Sequence, residues 1–400
     1  MALLEGVRVL DMGWVLGGPF AGQLLAQMGA DVVKIESPEG DLARGIPPHF
    51  ADGESSFFLS VNRGKRSVAI DLKQSHGRAV FEDLVRRSDA VIHNFAPDVP
   101  KRLGVDLQTL KKINSRICVG QLIGFHDEGE YRNTPAFDLV IQAQSGFMSL
   151  TGERGGKPVR AGYQVADLAG GLYLALGLVG ALLGAARTGE GREVQVSLFD
   201  CQIALLTWQA QNYFISGEVP RRNGSRHHMI APSEVFAGSD GRYFVISPTG
   251  DAFFGKFSIA IGHAELADDE RFATGARRIA HVDALAETLQ SIFSTKPAAS
   301  WVDLLKAERI PAGLLNDVDG ALGHDVTALR GMVETLVNPA TGNDLSFLGN
   351  PFKWAGNKPL SYPPRLGEHT RAVLAEVCAY DAGRIDELAR EGAVATGERK

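Results

Sequence analysis

The stretch VRVLDMGWVLGGPFAGQLLAQMGADVVKIE, residues 7–36, decides the predicted fold. Residues 7–12 form a short apolar run, and Gly17-Gly18-Pro19 opens a helical pattern that continues to Met28. Residues 31–36 have apolar side chains at positions 32, 33 and 35 and indicate a second buried strand. A strand, a helix and a second strand in this order predict a βαβ unit with parallel strands.

The same alternation continues outward from this unit and then changes. Further strands and helices of the first part are predicted at residues 66–72, 76–87, 90–95, 107–113 and 117–123. The middle part has a predicted strand pair followed by amphipathic helices, at residues 233–236, 243–247, 252–261, 282–293 and 299–308. We therefore predict an α/β protein with a large domain over 1–224, a smaller α+β domain over 225–325, and a return of 326–400 to the large domain.

Composition excludes several classes of protein. The chain has 400 residues, 44% hydrophobic and 22% charged, and a net charge of -6. This composition is globular, and a mildly acidic chain is a poor candidate for binding nucleic acid or an anionic membrane. Cys118, Cys201 and Cys378 are far apart, which argues against a disulfide scaffold or a zinc ribbon. Together with an N-terminus that lacks signal-peptide features, the cysteines favour a cytoplasmic location.

One segment, residues 168–186, has no charge and reaches about 28 Å as a helix. Its composition is compatible with a membrane anchor, and Gly180 and Gly184 have the small-xxx-small spacing of packed membrane helices. The segment is solitary, rich in Gly and Ala, and begins beside an aspartate. We therefore expect a core helix whose glycines admit close neighbours.

Several common catalytic motifs are missing. The first strand is not followed by GxGxxG, and the chain has no GxxxxGK[ST], so NAD and ATP are disfavoured. HExxH and GxSxG are absent as well. His227 and His228 are adjacent and do not share a helix face, which disfavours a metal site; a solvated loop pair is favoured, and a role near the substrate stays open.

Two aspartates and a set of basic residues are the candidate catalytic and ligand-binding residues. Asp167 precedes the charge-free helix, either as a plain N-cap or as a nucleophilic carboxylate at the edge of a dry core. Asp138 precedes another apolar segment and is either a structural cap or a site residue. The basic residues end or follow strands and form either a phosphate-binding rim or a solvated face; they are Arg63, Lys65, Arg66, Lys73, Lys101 and Arg102.

The order of short motifs along the chain resembles the class III CoA-transferases, also called CaiB/BaiF-like. This family includes formyl-CoA:oxalate, carnitine and succinyl-CoA-dependent dicarboxylate transferases. The motifs are LEGVRVLD (4–11), GP (18–19), GADVVKIE (29–36), NRGKRS (62–67), DLK (71–73), NF (94–95), RLG (102–104), Asp138, QAQSG (142–146), DLAGG (167–171), TGEGR (188–192) and LGEHT (366–370).

The resemblance implies a Rossmann-like large domain formed by both chain ends, a smaller domain, and an interlocked homodimer. It implies Asp167 as the catalytic nucleophile. Coenzyme A and acyl-CoA are then substrates, with no permanently bound cofactor, and small carboxylates are the other partners. The implied CoA contacts are Leu16, Gly17, Leu72, Lys73, Asn94, Phe95, Arg102, Phe137 and Asp138.

This chain differs from the formyl-CoA transferases at Trp14 and Leu16, where they carry histidine and glutamine. It also has Asp138 in place of their glutamate, and residues 223–229 stand in for their glycine-rich loop. These differences disfavour oxalate, and the chain looks most like the succinyl-CoA-dependent dicarboxylate enzymes. A dicarboxylate needs a second cation, and the candidates are Arg44, Arg160 and Arg226.

Two other functions remain open at this point. An α-methylacyl-CoA racemase of similar fold requires an acid/base histidine in a turn where this chain has Phe137, which disfavours racemisation. A CoA-binding protein without turnover is the other alternative, and the presence of Asp167 argues against it.

Overall fold

The structure is a computed structural model that describes residues 1–354 and 359–397. The chain folds into two units. The large unit contains Met1–Phe147, Ala161–Gln211 and Val326–Lys400, and the small unit contains Met148–Arg160 and Asn212–Asp325. The small unit thus takes a short segment before residue 161 and begins again at 212, whereas the sequence analysis placed its start at 225.

Strands and helices are numbered in chain order over the described residues. The strands are β1 (Arg8–Asp11), β2 (Asp31–Glu36), β3 (Phe50–Ala51), β4 (Glu54–Ser55), β5 (Lys65–Ile70), β6 (Ala90–His93), β7 (Cys118–Ile123), β8 (Glu193–Ser197), β9 (Glu234–Ala237), β10 (Tyr243–Ile246), β11 (Ala312–Leu314), β12 (Val333–Val337), β13 (Asp344–Leu348) and β14 (Val394–Ala395). The helices are α1 (Gly17–Gln27), α2 (Ser56–Val61), α3 (Ser75–Val85), α4 (Val99–Leu103), α5 (Leu107–Ile113), α6 (Asp138–Gln144), α7 (Phe147–Leu150), α8 (Val165–Thr188), α9 (Leu198–Leu205), α10 (Thr207–Ser216), α11 (Asp251–Ala260), α12 (Gly275–Ala280), α13 (Val282–Phe293), α14 (Ala298–Ala307), α15 (Val318–Leu322), α16 (Asp325–Leu329), α17 (Thr370–Cys378) and α18 (Ala382–Arg390).

The large unit is built on a seven-stranded sheet with the order β14-β5-β2-β1-β6-β7-β8. All neighbouring strands are parallel except β14, which pairs antiparallel with β5. The parallel strands β5-β2-β1-β6-β7-β8 follow the order of the Rossmann fold, which confirms the predicted α/β class with a mostly parallel sheet. The strand order reverses between β1 and β6, so the loops after these strands flank the point where ligands of such sheets bind.

Apolar clusters cover both faces of this sheet. One cluster contains residues of α3, α5, α17 and α18, so the C-terminal segment contributes to the core of the large unit. The other contains residues of α1, α6, α8 and α9. Both strand faces are therefore buried, which explains why the strands carry adjacent apolar residues instead of a strict alternation of apolar and polar residues.

Helix α8 has the predicted place but is buried on one face only. A Cβ on Gly171 would lie 2.7 Å from the carbonyl oxygen of Gly17, so α8 approaches α1 at a distance that only glycine permits. Leu172, Leu176 and Leu183 on its other face are more than half exposed. Within the described part of the chain, α8 alone is long and apolar enough to cross a membrane, a test that core helices also pass.

The small unit has an antiparallel sheet of order β11-β10-β9. Its core is formed by Phe236, Phe244, Phe293 and Trp301, whose rings pack edge to face around Phe293. The predicted strand pair and the three predicted helices of this region correspond to β9, β10, α11, α13 and α14. The sequence analysis did not predict β11, because its three residues carry no recognisable alternation.

Candidate active site

Asp167 occupies the first turn of α8, three residues after the N-cap residue Gln164. It lines a cavity of about 420 Å³, called here the Asp167 cavity. Across residues 1–354 and 359–397, no side chain or backbone group is hydrogen-bonded to its carboxylate. The side chain therefore does not cap the helix, and its charge is available to a ligand.

The sequence did not show which of the two aspartates caps a helix. The structure shows that Asp138 caps α8. Its Oδ1 accepts the N–H of Ala166 at 2.8 Å, and its Oδ2 accepts Nε2 of Gln142 at 2.5 Å. Asp138 is buried and does not line the Asp167 cavity. The contact of Asp138 with CoA that the resemblance implies stays a prediction, and both carboxylate oxygens already have partners inside the protein.

The two carboxylates still interact electrostatically. Burial raises the pKa of Asp167 to about 7, and the nearby negative charge of Asp138 acts in the same direction. A carboxylate with a raised pKa and no internal hydrogen bonds has its negative charge poorly stabilised. Such a group is a stronger nucleophile than an ordinary surface aspartate.

This arrangement predicts a pH dependence. If Asp167 must be ionised to react, kcat/KM rises with pH through about 7 and levels off above it, because the pKa of Asp167 is near 7. Asp138→Asn removes the like charge and is expected to move this rise to lower pH. The measurement is a pH profile of kcat/KM for the acyl-CoA substrate that the sequence resemblance implies. Asp344→Asn, an exposed site in β13, is the matched control and should leave the profile unchanged.

The β1–α1 loop brings backbone close to Asp167. A Cβ on Gly17 would lie 2.5 Å from Cδ2 of Leu122, 3.3 Å from the carbonyl oxygen of Asp167 and 3.7 Å from its Oδ1. Any side chain at position 17 therefore collides with the cavity wall. Helix α1 begins at Gly17, and its N-cap residue Leu16 provides no side-chain cap. The first N–H groups of α1 are consequently available beside the carboxylate.

The same loop is strained and held by buried side chains. Val15 has φ of 64°, which a β-branched residue rarely adopts. The amide of Asn94 bonds both the N–H and the carbonyl oxygen of Trp14 at 2.8 Å. Asp41 accepts the N–H of Val15 at 3.1 Å, and Lys34 donates to the carbonyl oxygen of Gly13 at 2.9 Å. The loop conformation is thus imposed by the surrounding structure, as strain at functional sites requires.

A buried ionic network lies behind this loop. Lys34 pairs with Asp41 at 2.9 Å, and Lys65 pairs with Asp11 at 2.7 Å; all four side chains are almost inaccessible. Asp11 also accepts the N–H of Gly13 at 2.8 Å. Lys65 therefore belongs neither to a phosphate-binding rim nor to a solvated face, because its ammonium group is buried and paired with Asp11.

Five of the predicted CoA contacts line the Asp167 cavity: Leu16, Gly17, Asn94, Phe95 and Phe137. In the loop between β7 and α6, the sequence analysis predicted Phe137 but missed the other residues that line the cavity, among them Tyr131, Arg132 and Thr134. This loop carries no recognisable motif. It joins the site because it follows the carboxyl end of β7, next to β6 in the sheet.

A second cavity of about 770 Å³, called here the Lys73 cavity, contains three other predicted contacts. Leu72, Lys73 and Arg102 line it, and the side chains of Lys73 and Arg102 bring positive charge to its wall. Trp14 and Phe95 line both cavities and form a shared wall. The lining also includes Glu36, Glu39, Asp41 and Asp71, so the large unit offers a cavity with basic and acidic side chains next to one that contains the Asp167 carboxylate.

The three arginines suggested for a distal carboxylate lie elsewhere. Arg44 lines the Lys73 cavity and is bonded to Glu36 at 2.8 Å and to Glu54 at 2.9 Å. Arg160 is an exposed residue of the small unit. Arg226 belongs to the small unit too, where it pairs with Glu234 and with another carboxylate. None of the three lines the Asp167 cavity.

The predicted stand-in loop, residues 223–229, contributes to a cavity of about 580 Å³ in the small unit. Its lining includes Arg226, His227 and His228. The Nδ1 of His227 accepts the N–H of Met229 at 3.0 Å, which is a local turn contact. The Nε2 of His228 lies 2.8 Å from the carbonyl oxygen of Arg221, and both histidines are half-buried.

Comparison with known proteins identifies a family whose sequences match this chain. The sequence profile described as CoA-transferase family III matches residues 4–370. A succinate–glutarate CoA-transferase of Agrobacterium fabrum is 38% identical over 389 residues, covering 94% of this chain and 95% of that protein. An acetyl-CoA:oxalate CoA-transferase of Acetobacter aceti is 37% identical and covers 94% of this chain and 96% of its own length.

A solved structure of similar sequence has the same fold. The CAIB/BAIF family protein from Brucella suis superposes with a TM-score of 0.82 at 36% identity. The match covers 93% of this chain and 98% of that protein.

Proposed function

Because the chain belongs to CoA-transferase family III, we propose that it moves CoA from an acyl-CoA donor to a small dicarboxylic acid, with Asp167 as the nucleophile. Succinyl-CoA is the donor favoured by the relatives that act on glutarate and mesaconate. The observation that carries the proposal is the unpaired Asp167 carboxylate in a cavity that shares a wall with the Lys73 cavity.

The two cavities suit the two ends of CoA. Lys73 and Arg102 offer positive charge to the phosphates of the nucleotide, which binds in the Lys73 cavity. The pantetheine arm then passes the shared wall of Trp14 and Phe95, and the thioester enters the Asp167 cavity. In this chain Trp14 supplies a large apolar surface for the arm.

The donor half of the reaction needs two acyl transfers. The carboxylate of Asp167 attacks the thioester carbonyl, the C–S bond breaks, and a mixed anhydride and CoA thiolate form. The thiolate then attacks the aspartyl carbonyl of the anhydride and expels the donor acid as its carboxylate. Asp167 is left as an aspartyl-CoA thioester, and each step balances without an external oxidant or reductant.

The acceptor half runs through the same bonds in reverse. The acceptor carboxylate attacks the aspartyl thioester, which releases CoA thiolate and forms a second anhydride. The thiolate attacks the acceptor carbonyl of this anhydride, giving the new acyl-CoA and restoring the carboxylate of Asp167. Each step exchanges one activated acyl derivative for another, so the barriers depend mainly on positioning and on stabilising the oxyanions.

The N-terminus of α1 is suited to stabilise those oxyanions. Its first N–H groups lack a side-chain cap and lie beside Asp167, since Gly17 permits the close approach. Negative charge that develops on a carbonyl oxygen there is favoured by the N–H groups and by the helix dipole.

We also propose a homodimer in the cytoplasm. The exposed apolar side chains on α8 and its neighbours form a surface that a second copy would cover; they include Leu172, Leu176, Leu183, Ile203 and Leu205. Patches of this kind mark protein interfaces in soluble chains.

A matrix of acyl-CoA donors against free acids, read by mass spectrometry, tests the proposed function. We expect new acyl-CoA only when a donor and an acceptor are both present, and best with dicarboxylates. Enzyme mixed with the donor alone should gain the mass of bound CoA or react with hydroxylamine at Asp167. If acyl-CoA is hydrolysed or epimerised without any acceptor, the protein is a hydrolase or a racemase and the proposal is wrong.

A further inference from the structure

We propose that Arg132 binds the distal carboxylate of the dicarboxylate substrate in the Asp167 cavity; this inference rests on the proposed function and assigns its substrate class to one side chain. Arg132 lies in the loop between β7 and α6 and lines the cavity. It was not among the arginines that the sequence suggested for this role, which were Arg44, Arg160 and Arg226.

The charges that line the cavity point to Arg132. Among its described lining residues, Asp167 is the sole carboxylate, and Arg132 is the sole side chain with a permanent positive charge. A dicarboxylate acceptor brings one carboxylate to react at Asp167 and a second one that needs its own polar partner. The side chain of Arg132 is 43% exposed, so the second carboxylate stays partly hydrated there and gains a charge-assisted pair with the guanidinium.

The guanidinium of Arg132 has free donors for a carboxylate. Its Nη2 donates to Oδ1 of Asp98 at 2.5 Å, and this pair links the loop after β7 to the loop after β6. In the part of the chain that the structure describes, Nε and Nη1 of Arg132 make no hydrogen bond. Since a guanidinium has five N–H donors, it can hold Asp98 and a substrate carboxylate together.

The rest of the lining suits the carbon chain of a linear diacid. Apolar side chains of Leu122, Phe125 and Leu198 line the same cavity. Methylene groups gain from contact with such walls, while the two ends of the molecule need polar partners. The cavity thus combines a nucleophile, apolar walls and one cation.

Other cations are less suited to this role. His126 also lines the cavity, but its Nδ1 already accepts the N–H of Glu128 at 3.0 Å. Lys73 and Arg102 line the other cavity, where the phosphates of CoA are expected. A phosphate of CoA is therefore not the ligand that we assign to Arg132, and the experiment below separates the two ligands.

The test compares Arg132→Met with Arg86→Met. Arg86 is a matched control, because it is similarly exposed and paired with an aspartate, Asp83, and it lies outside both cavities. Initial rates are measured with succinyl-CoA and either glutarate or pentanoate, which has the same chain length and one carboxylate. Binding of free CoA is measured by calorimetry.

We expect Arg132→Met to lower kcat/KM for glutarate by about tenfold to a hundredfold, mainly through KM, as for the loss of a charge-assisted hydrogen bond. The rate with pentanoate and the dissociation constant of CoA should stay within about twofold of the unmodified enzyme. Asp98→Asn should have the opposite effect and lower KM for glutarate, since it removes the negative charge that competes with the substrate carboxylate for the guanidinium. Arg86→Met should change none of these quantities.

Three results overturn the assignment. An unchanged kcat/KM for glutarate in Arg132→Met shows that Arg132 does not bind the acceptor. Equal losses for glutarate and pentanoate indicate a structural role, and weaker binding of free CoA indicates a phosphate ligand. These results require transfer to glutarate by the unmodified enzyme, so a failure of the proposed function itself would be seen first and separately.

Discussion

Asp167→Asn is expected to lower the rate of CoA transfer by at least about 10³-fold and, at the same time, to make the protein more stable above pH 7. The amide has the size of the carboxylate but cannot form an anhydride or a thioester. Because no hydrogen bond to the Asp167 carboxylate exists within residues 1–354 and 359–397, the substitution removes no contact on which the described fold depends.

The stability gain follows from the pKa of Asp167, which burial raises to about 7 from the usual value of 3.8. Between these two values the folded state binds more protons than the unfolded state, so the free energy of unfolding falls as the pH rises. Above pH 7 the folded protein holds a poorly solvated charge that asparagine lacks. A shift of this size, discounted for the partial exposure of the side chain, corresponds to about 2 kcal/mol.

Denaturant unfolding at pH 8 and at pH 4, together with the transfer assay, checks this prediction. The advantage of the variant should be largest at pH 8 and should shrink toward pH 4, where the aspartate is protonated in the folded state. Asp200→Asn, an exposed aspartate in the first turn of α9, is the matched control and should alter neither quantity appreciably. Retention of transfer activity in Asp167→Asn would rule out the aspartyl intermediates.

Lys65→Met is expected to destabilise the protein by about 3–5 kcal/mol, the cost of leaving a buried charge unpaired. Nζ of Lys65 donates to Oδ2 of Asp11 at 2.7 Å, to the carbonyl oxygen of Pro19 at 2.7 Å and to Oδ1 of Asn62 at 2.8 Å. Methionine fills a similar volume but donates no hydrogen bond. All three acceptors then stay buried, and the Asp11 carboxylate keeps its charge without this partner.

The neighbouring residue of Lys65 in β5, Arg66, provides the control for this prediction. Arg66 is one position along β5, and its partners Asp31 and Glu376 are partly or largely exposed. Arg66→Met should therefore cost no more than about 1 kcal/mol. The free energy of unfolding is measured by denaturant titration, and Asp11→Asn added to Lys65→Met should recover part of the loss. Equal losses for Lys65→Met and Arg66→Met would contradict the structural account of the network.

The sequence predicted the elements of the sheet well where local patterns were strong. Residues 31–36 were predicted as a strand and form β2 with the same bounds, and the helical pattern beginning at Gly17 is α1. A strand was predicted over residues 345–348 and lies within β13, but its partner β12 was not predicted, because every residue of β12 is exposed or only half-buried. Local patterns report local burial, so weakly buried elements escape them.

The sequence did not reveal which charged residues are buried. Lys65 stood in a basic cluster that predicted either a phosphate rim or a solvated face, and the structure buries it against Asp11, 54 positions away. The same holds for Asp138 and Asp167, which looked alike as residues that precede apolar segments. Only the contact of Asp138 with Ala166 assigns the cap to one of them and leaves the other carboxylate unpaired.

The alternation of strand and helix patterns was sufficient to predict a parallel α/β sheet, and the order of motifs indicated a CoA-transferase family and, through that resemblance, Asp167 as the candidate nucleophile. The tertiary structure alone decided that Arg132 lines the Asp167 cavity, that Asp138 lies behind it, and that Trp14 and Phe95 line both cavities. The physical reason is that a periodic pattern records how each segment meets the core. Which loops meet at the ends of the strands depends on the strand order, and the chain sets that order only through contacts between distant residues.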